Sequence, residues 1–396
     1  MKTFVDRSPA NSAPAESVVR AASRIFFVSI FVACAAISAS VAARAEAPYK
    51  TVTGPCQFQF PAAHGAHPGY RTEWWYFTGN LSARTGEKFG FQLTFFRSQL
   101  SPPGADREWP ERPSPWRTQQ LFLAHAAVAD ITNNNFHHAE KISRGVPKLA
   151  GVSEDHYGVT VFLHDWSARI EQDQHLLTAD SDRFSFRFTL RPQKPPVAHG
   201  DSGYSRKGQL AESASCYYSL TRLAVSGELL LDGRRFEVTG LAWMDHEFSS
   251  APLESNLVGW DWFSLQMDDE TDLMIYLLRQ QDGTYSPASS GTVVKTDGKT
   301  LHLASEMFSV EMLDTWKSPA SGATYPAKWR LQVPCLLIDL TVQPNLANQE
   351  MRTPESTQVT YWEGSVSACG LRQGRPWAGA GYVELTGYDK AFDAPM

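Results

Sequence analysis

The sequence lacks the signatures of the commonest catalysts. It contains no G-x-S-x-G elbow, no H-E-x-x-H helix, no P-loop and no G-x-G-x-x-G turn, which excludes on motif grounds the hydrolases, zinc proteases and nucleotide-binding enzymes built on them. Basic charge is scarce: 36 Lys and Arg against 42 Asp and Glu leave a net charge of -6, whereas a nucleic-acid-binding domain needs a basic face. Only five of the 396 residues are Cys and none stands in C-x-x-C spacing, so zinc-ribbon and thioredoxin-like readings fail. Helical periodicity is nearly absent. The chain has instead 12% aromatic residues and a charged share of 20%, below the usual quarter, the composition of a packed globular protein with a large core.

The first 45 residues read as an export signal. Arg20 and Arg24 precede an apolar run from Ile25 to Val41, and Ala43-Arg44-Ala45 supplies an A-x-A cleavage site. The expectation is cleavage after Ala45, no stable membrane insertion afterwards, and a soluble protein in the periplasm or outside the cell. Ser29, Ser38 and Ser40 weaken the alternative of an uncleaved anchor. Cys34 is not a lipoprotein acylation site, because the apolar run continues past it. Removing five cations and two anions with this segment takes the net charge from -6 to -9.

The remaining chain alternates with a period of two. Phe89, Phe91, Leu93 and Phe95 share one face, as do Phe184, Phe186, Phe188 and Leu190, the pattern of half-buried antiparallel strands. Asp232-Gly233, Asp282-Gly283 and Asp297-Gly298 mark turns. The expected fold class is all-β, with a dozen or more strands closing into barrels or sandwiches to hide their edges. The Pro-rich segments 101–115 and 192–208 read as loop insertions. A boundary near Ser249–Asn256 divides the chain into domains at 46–252 and 253–396. Cys56 and Cys216 fall in the first domain and Cys335 and Cys369 in the second, so intradomain pairing gives Cys56–Cys216 and Cys335–Cys369, with buried free thiols as the alternative.

Three segments place acids beside indoles: Glu73-Trp74-Trp75-Tyr76-Phe77, Trp243-Met244-Asp245-His246-Glu247-Phe248 and Trp260-Asp261-Trp262. Strand alternation sets Glu73, Trp75 and Phe77 on one face and Trp74 and Tyr76 on the other. The plainer reading is that these tryptophans are core anchors whose N–H groups bond nearby carboxylates. The functional reading is an apolar pocket with a few convergent polar groups. His64 and His67 sit in a Pro- and Gly-flanked loop and read as surface histidines, with no metal expected.

The segments HPGYRTEWWYFTGNL (67–81), GLAWMDHEFSS (240–250) and GWDWFSLQM (259–267) resemble the AttH and carotenoid 1,2-hydratase (hydroxyneurosporene synthase) family. HAAVADI, CYYSLTRL, YPAKWRLQVP and YWEGSVSACG follow in the expected order. The resemblance implies two consecutive lipocalin-like antiparallel β-barrel domains. It covers carotenoid hydratases, relatives with other hydration or cyclisation activities, and secreted members encoded beside ABC-transporter permeases. In the hydratase branch it implies a His and a Trp matching 245–248, and a Tyr and an Asp on the next strand. Here His246 matches and Tyr276 stands at the Tyr, but Phe248 replaces the Trp and Leu278 the Asp.

Three functions follow as expectations. The first is a secreted carrier of an apolar isoprenoid, lipid or polyketide-like molecule, serving an envelope ABC-transporter permease and needing no cofactor. The second is a hydro-lyase or isomerase protonating an isoprenoid-like alkene, and the third a structural or protein-interaction module. The expected site is a single one in or at the mouth of the first barrel. There the loop after Ala242 brings Asp245, His246 and Glu247 to Glu73, Trp75 and the Trp260–Trp262 strand. Trp74, Tyr76, Trp243 and Phe248 line the ligand, and Asp261 is a further acid. Within it His246 is a general acid or base, and Glu73 an acid whose pKa is raised by apolar neighbours.

Overall fold

The computed structural model describes residues 48–104, 109–112 and 114–392. The expected export signal and its cleavage site lie outside the described residues, as do residues 105–108 and 113 of the Pro-rich loop. Everything discussed below belongs to one compact unit, Ala47–Met396.

Two antiparallel sheets make up the fold. The first contains β1 (Thr72–Ala83), β2 (Lys88–Gln99), β3 (Gln120–Asp130), β4 (Asn135–Arg144), β5 (Ala150–Glu154), β6 (Gly158–Leu163), β7 (Trp166–Glu171), β8 (His175–Asp180), β9 (Phe184–Pro192), β10 (Val197–Ala198), β11 (Tyr204–Arg206), β12 (Ala214–Leu231) and β13 (Arg234–Ser249). Its strand order is β4-β3-β2-β1-β13-β12-β9-β8-β7-β6-β5, with β10 and β11 paired to β12. The second contains β14 (Leu257–Met267), β15 (Asp272–Gln280), β16 (Ser290–Val294), β17 (Thr300–Ala304), β18 (Ser309–Lys317), β19 (Thr324–Val333), β20 (Ile338–Pro344), β21 (Glu350–Arg352), β22 (Thr360–Arg372) and β23 (Arg375–Leu385). The sheets curl into a barrel and a half-barrel, the expected pair of lipocalin-like units. Residues 250–256 carry the chain from one to the other. Among the described residues helix is confined to three-residue 3₁₀ turns.

The predicted alternation is what fills the barrels. Phe89, Phe91, Leu93 and Phe95 join Phe184, Phe186, Phe188 and Leu190 in one core, and Asp232 and Gly233, with φ of 49° and 78°, form the left-handed hairpin corner that joins β12 to β13. Burial along β12 and β13 shows where the sheets meet. The hairpin end of each strand alternates between buried and exposed, but Ala214–Leu223 and Ala242–Ser249 are buried on both faces, because the outer face there is covered by β14, β22 and β23. The contact is close. A Cβ at Gly90 would lie 2.8 Å from the Ser365 Cβ and 3.1 Å from the Tyr382 hydroxyl.

Polar clamps fix the two sheets together. A bulge in β12 between Leu220 and Leu223 re-aims Thr221 and Arg222 out of the ladder, and both bond the fully buried Asp272 of β15, Arg222 through two N–H groups at 2.7 and 3.0 Å. Lys194 completes the clamp, 2.7 Å from the same carboxylate. Segment 192–208, expected as a plain loop, therefore helps to join the sheets. It carries Lys194, adds β10 and β11 to the first sheet, and bonds His199 to Thr292 at 2.9 Å.

The cysteine expectation divides. Cys56 and Cys216 form a disulfide that ties the segment before β1 to β12. Cys335 and Cys369 are free and exposed. Cys335 lies in the turn Pro334–Leu336, whereas Cys369 faces Thr341 on β20. Three strand residues, about 10 Å, separate Thr341 from the start of that strand, beyond the reach of a disulfide.

Candidate functional site

A cavity of about 400 Å³ lies between the outer faces of the two sheets. From the first sheet β1 turns Trp74 and Tyr76 into it, and β12 and β13 contribute Tyr217, Asp245 and Glu247. From the second come Trp260 and Trp262 of β14, Tyr276 and Leu278 of β15, Tyr361 and Glu363 of β22 and Glu384 of β23. Aromatic walls exclude water from a ligand, while a handful of acids offer polar groups, the usual make-up of a small-molecule site.

Burial makes three of the acids harder to ionise than ordinary carboxyls. Asp245 accepts hydrogen bonds at 2.6 Å from both the Tyr217 hydroxyl and the Trp243 indole, and one from Ser219. Burial outweighs these donors and pushes its pKa up to about 7. Glu363 and Glu384 stand directly opposite each other on β22 and β23. Burial, reinforced for Glu363 by the neighbouring Glu384, raises Glu384 to about 7 and Glu363 well above the carboxylate range. The Tyr76 hydroxyl donates to one Glu363 oxygen at 2.5 Å, and the other, though buried, has no partner among the described residues. Glu247 is different: it accepts from Ser215 and pairs with Lys207 at 3.0 Å. Against the burial that would lower it, Glu247 raises the Lys207 pKa.

The expected single site is split by the thickness of one strand layer. β13 runs unbroken to Ser249, so Asp245, His246 and Glu247 are strand residues, not loop residues, and alternate between its faces. Asp245 and Glu247 enter the cavity with Trp74, Tyr76, Trp260, Trp262 and Tyr276. His246 turns into the first barrel with Glu73, Trp75 and Phe248. Asp261 points the other way again, bonded to Arg279 at 2.9 Å and Tyr388 at 3.0 Å, and burial raises its pKa to about 6. Trp243 stands behind the cavity wall, bonded to Asp245 and edge-on to Trp262 with ring centroids 6.2 Å apart.

His246 and Glu73 do meet, at 2.9 Å, but as buried structure. The Glu73 carboxylate also accepts from His67 Nδ1 at 2.7 Å and from Arg97 at 2.8 Å. Burial would raise its pKa, as the sequence suggested, but these donors hold it well below the ordinary range. Burial lowers the pKa of His246, whose Nδ1 faces the Tyr218 hydroxyl at 2.9 Å. His64, expected at the surface, is buried and bonds the same hydroxyl at 2.6 Å. His67 stacks on Phe248 with ring centroids 3.7 Å apart. His67, Glu73 and His246 bring three ligand atoms within 4.8 Å of one another, but a cation there would have to displace their hydrogen bonds beside the Arg97 guanidinium.

Sequence reasoning missed Glu363, Glu384, Lys207, Tyr217 and Arg71. Glu363 and Glu384 each follow an aromatic at two residues' spacing, Tyr361 and Tyr382, the same acid-beside-aromatic signal that marked the three chosen segments. Leu278, which stands where the hydratase branch implies an Asp, lines the cavity, and the second sheet supplies acids from β22 and β23 instead.

Comparison with known proteins agrees with this architecture. An AttH-like family model matches residues 51–388. A protein from Nitrosomonas europaea assigned to AttH shares 35% identity and superposes with a TM-score of 0.76 over 86% of this chain and 99% of its own. Kievitone hydratase from Nectria haematococca shares the fold at 16% identity, with a TM-score of 0.63 over 87% of this chain and 98% of its own. CghA, solved with Sch210972, does so at 11% identity and a TM-score of 0.50, over 80% and 89%. No protein of curated function matches the sequence. The chain belongs to the AttH-like family.

Proposed function

We propose that this protein binds an apolar, alkene-bearing molecule of isoprenoid or polyketide type between its sheets and transfers protons to it, as a hydro-lyase or isomerase. The observation that carries the reading is the set of three acids, Asp245, Glu363 and Glu384, that converge on one aromatic-walled cavity where burial raises their pKa values. Protonating an alkene carbon needs a positioned acid that still carries its proton near neutrality, a state that burial favours. The resulting cation needs shelter, and Trp74, Trp260 and Trp262 offer indole faces worth about 0.5–2 kcal/mol each. The fold is one on which a hydratase has been built. Export to an oxidising compartment belongs to the same proposal, supported by the N-terminal sequence and by the Cys56–Cys216 disulfide.

A carrier serving an envelope ABC-transporter permease is the second reading. It is favoured by the hydrogen bonds that Tyr217, Trp243 and Tyr76 give the acids, since groups so engaged also serve simply to build a wall. Incubating the protein with isoprenoid alkenes in D₂O separates the two. Deuterium appearing in the alkene by mass spectrometry, lost in Asp245→Asn while binding persists, supports the enzyme. Binding without exchange in either form leaves the carrier.

A further inference from the structure

The rim of the cavity carries one positive charge, that of Arg71, which its interior chemistry does not use. Arg71 lines the cavity immediately before β1, and its guanidinium has no hydrogen-bond or ion-pair partner among the described residues. Such a group on a chain of net charge -6 has many acids to choose from, and pairs with none. Lys207 lies at the same end of the sheet. Its backbone bonds Ser213, next to β12, while Thr72 pairs with Ser249 on β13. Three strand spacings, about 14 Å, separate the two backbones, a gap that two long side chains narrow from either side. The Lys207 ammonium lies 3.0 Å from Glu247 and 4.1 Å from the centre of the Tyr276 ring.

Depth is ordered along β1 and β13. Inward from Arg71 comes Trp74 opposite Glu247, then Tyr76 opposite Asp245, and Tyr76 touches Glu363. From Arg71 to Tyr76 the strand runs about 17 Å. A ligand entering this space meets Arg71 and the Lys207–Glu247 pair first, then indoles, then buried carboxylic acids. An anionic group cannot go deepest, because it would sit among three acids that already avoid ionisation. An apolar group at the rim would displace water from the part-exposed Arg71 without replacing its hydrogen bonds.

We infer that the ligand is an elongated amphiphile with a carboxylate-type acidic head, held at the rim by Arg71 with Lys207 alongside, and an unsaturated apolar body reaching Asp245 and Glu363. This rests on the reading of the cavity as the ligand site. Arg71 is the specificity-determining residue, since its planar fork can grip a carboxylate through two parallel hydrogen bonds.

Retinoic acid and retinol, which share one isoprenoid skeleton and differ in the head, test it on the full chain by quenching of tryptophan fluorescence. The expected result is that the acid binds about tenfold or more tightly than the alcohol, and that Arg71→Gln removes this preference by weakening the acid more than the alcohol. Arg71→Gln breaks no side-chain contact and should fold, which a far-UV circular dichroism spectrum checks. Leu278→Trp, which narrows the cavity, should weaken binding of both. Equal affinities, both weakened by Leu278→Trp, would overturn the acidic head and leave the cavity reading standing. A preference for the acid that survives Arg71→Gln, or affinities that Leu278→Trp leaves unchanged, would also overturn the inference. Binding of neither probe would overturn both.

Discussion

Replacing Asp245 by Asn tests whether a neutral acid is built into the wall between the sheets. Burial raises this carboxyl from the ordinary 3.8 to about 7. A group whose pKa is raised on folding leaves the protein at full stability below its unfolded value and removes stability as pH rises through the folded value. The window therefore runs from about pH 4 to pH 7. At 1.36 kcal/mol per unit, three units amount to about 4 kcal/mol. About 1 kcal/mol of that is expressed by pH 4.5 and nearly all by pH 8. The Asn variant has no charge to bury at any pH. Its carbonyl still accepts from Trp243 and Ser219, and its amide can donate to the Tyr217 oxygen, which accepts from Trp262 at 3.1 Å as well. The stability of Asp245→Asn relative to the unmutated chain should thus rise by about 3 kcal/mol between pH 4.5 and pH 8. Equilibrium urea unfolding at the two pH values and fixed ionic strength measures it. A difference that does not change with pH would refute the reasoning, because it would mean that Asp245 is already ionised in the folded state.

Further outcomes follow from the clamp and the disulfide. Asp272→Ala strands Arg222 and Lys194 in the contact between the sheets and should cost about 3–5 kcal/mol in urea unfolding; a loss below about 1 kcal/mol would show that the clamp is not needed. Cys216→Ser opens a loop of 160 residues and should cost about 5 kcal/mol on the chain-entropy account, measured in the same way. Iodoacetamide applied to the native protein should label Cys335 and Cys369 but neither Cys56 nor Cys216, and a label on Cys56 or Cys216 by peptide mapping would show the disulfide absent.

Much of the fold is written in the local pattern. The alternating phenylalanines of β2 and β9 point to their own core, and Asp232-Gly233 admits the left-handed turn that sets the β12–β13 register. The partition of Glu73 and Trp75 from Trp74 and Tyr76 is also legible, since it needs only the pleat. The same rule carried through Asp245-His246-Glu247 separates His246 from its neighbours. Three consecutive polar residues nevertheless look like a loop until a second sheet is known to cover them. Glu363 and Glu384 are a harder case. Each is one acid in an otherwise ordinary strand, and their pKa values rise only because antiparallel pairing over twenty residues sets them side by side. Lys207 sits in a stretch rich in Pro and Gly whose role depends on the second sheet. Local periodicity reports which face a residue takes, not what stands opposite.

The pleat of β1 and β13 gives the protein one partition serving two rooms. Glu73, Trp75, His246 and Phe248 furnish the barrel side, Trp74, Tyr76, Asp245 and Glu247 the cavity side, and no backbone separates neighbours in sequence. Enlarging the cavity by pushing this wall back would press on Trp75 and His246, which are fully buried and have nowhere to go. A change of ligand size therefore has to come from the opposite side, at positions such as Leu278 or Trp260. An insertion of a single residue in either strand would exchange the contents of the two rooms, setting charged groups in the barrel and its core in the cavity. The wall is free to vary in what it displays and hardly at all in where it stands.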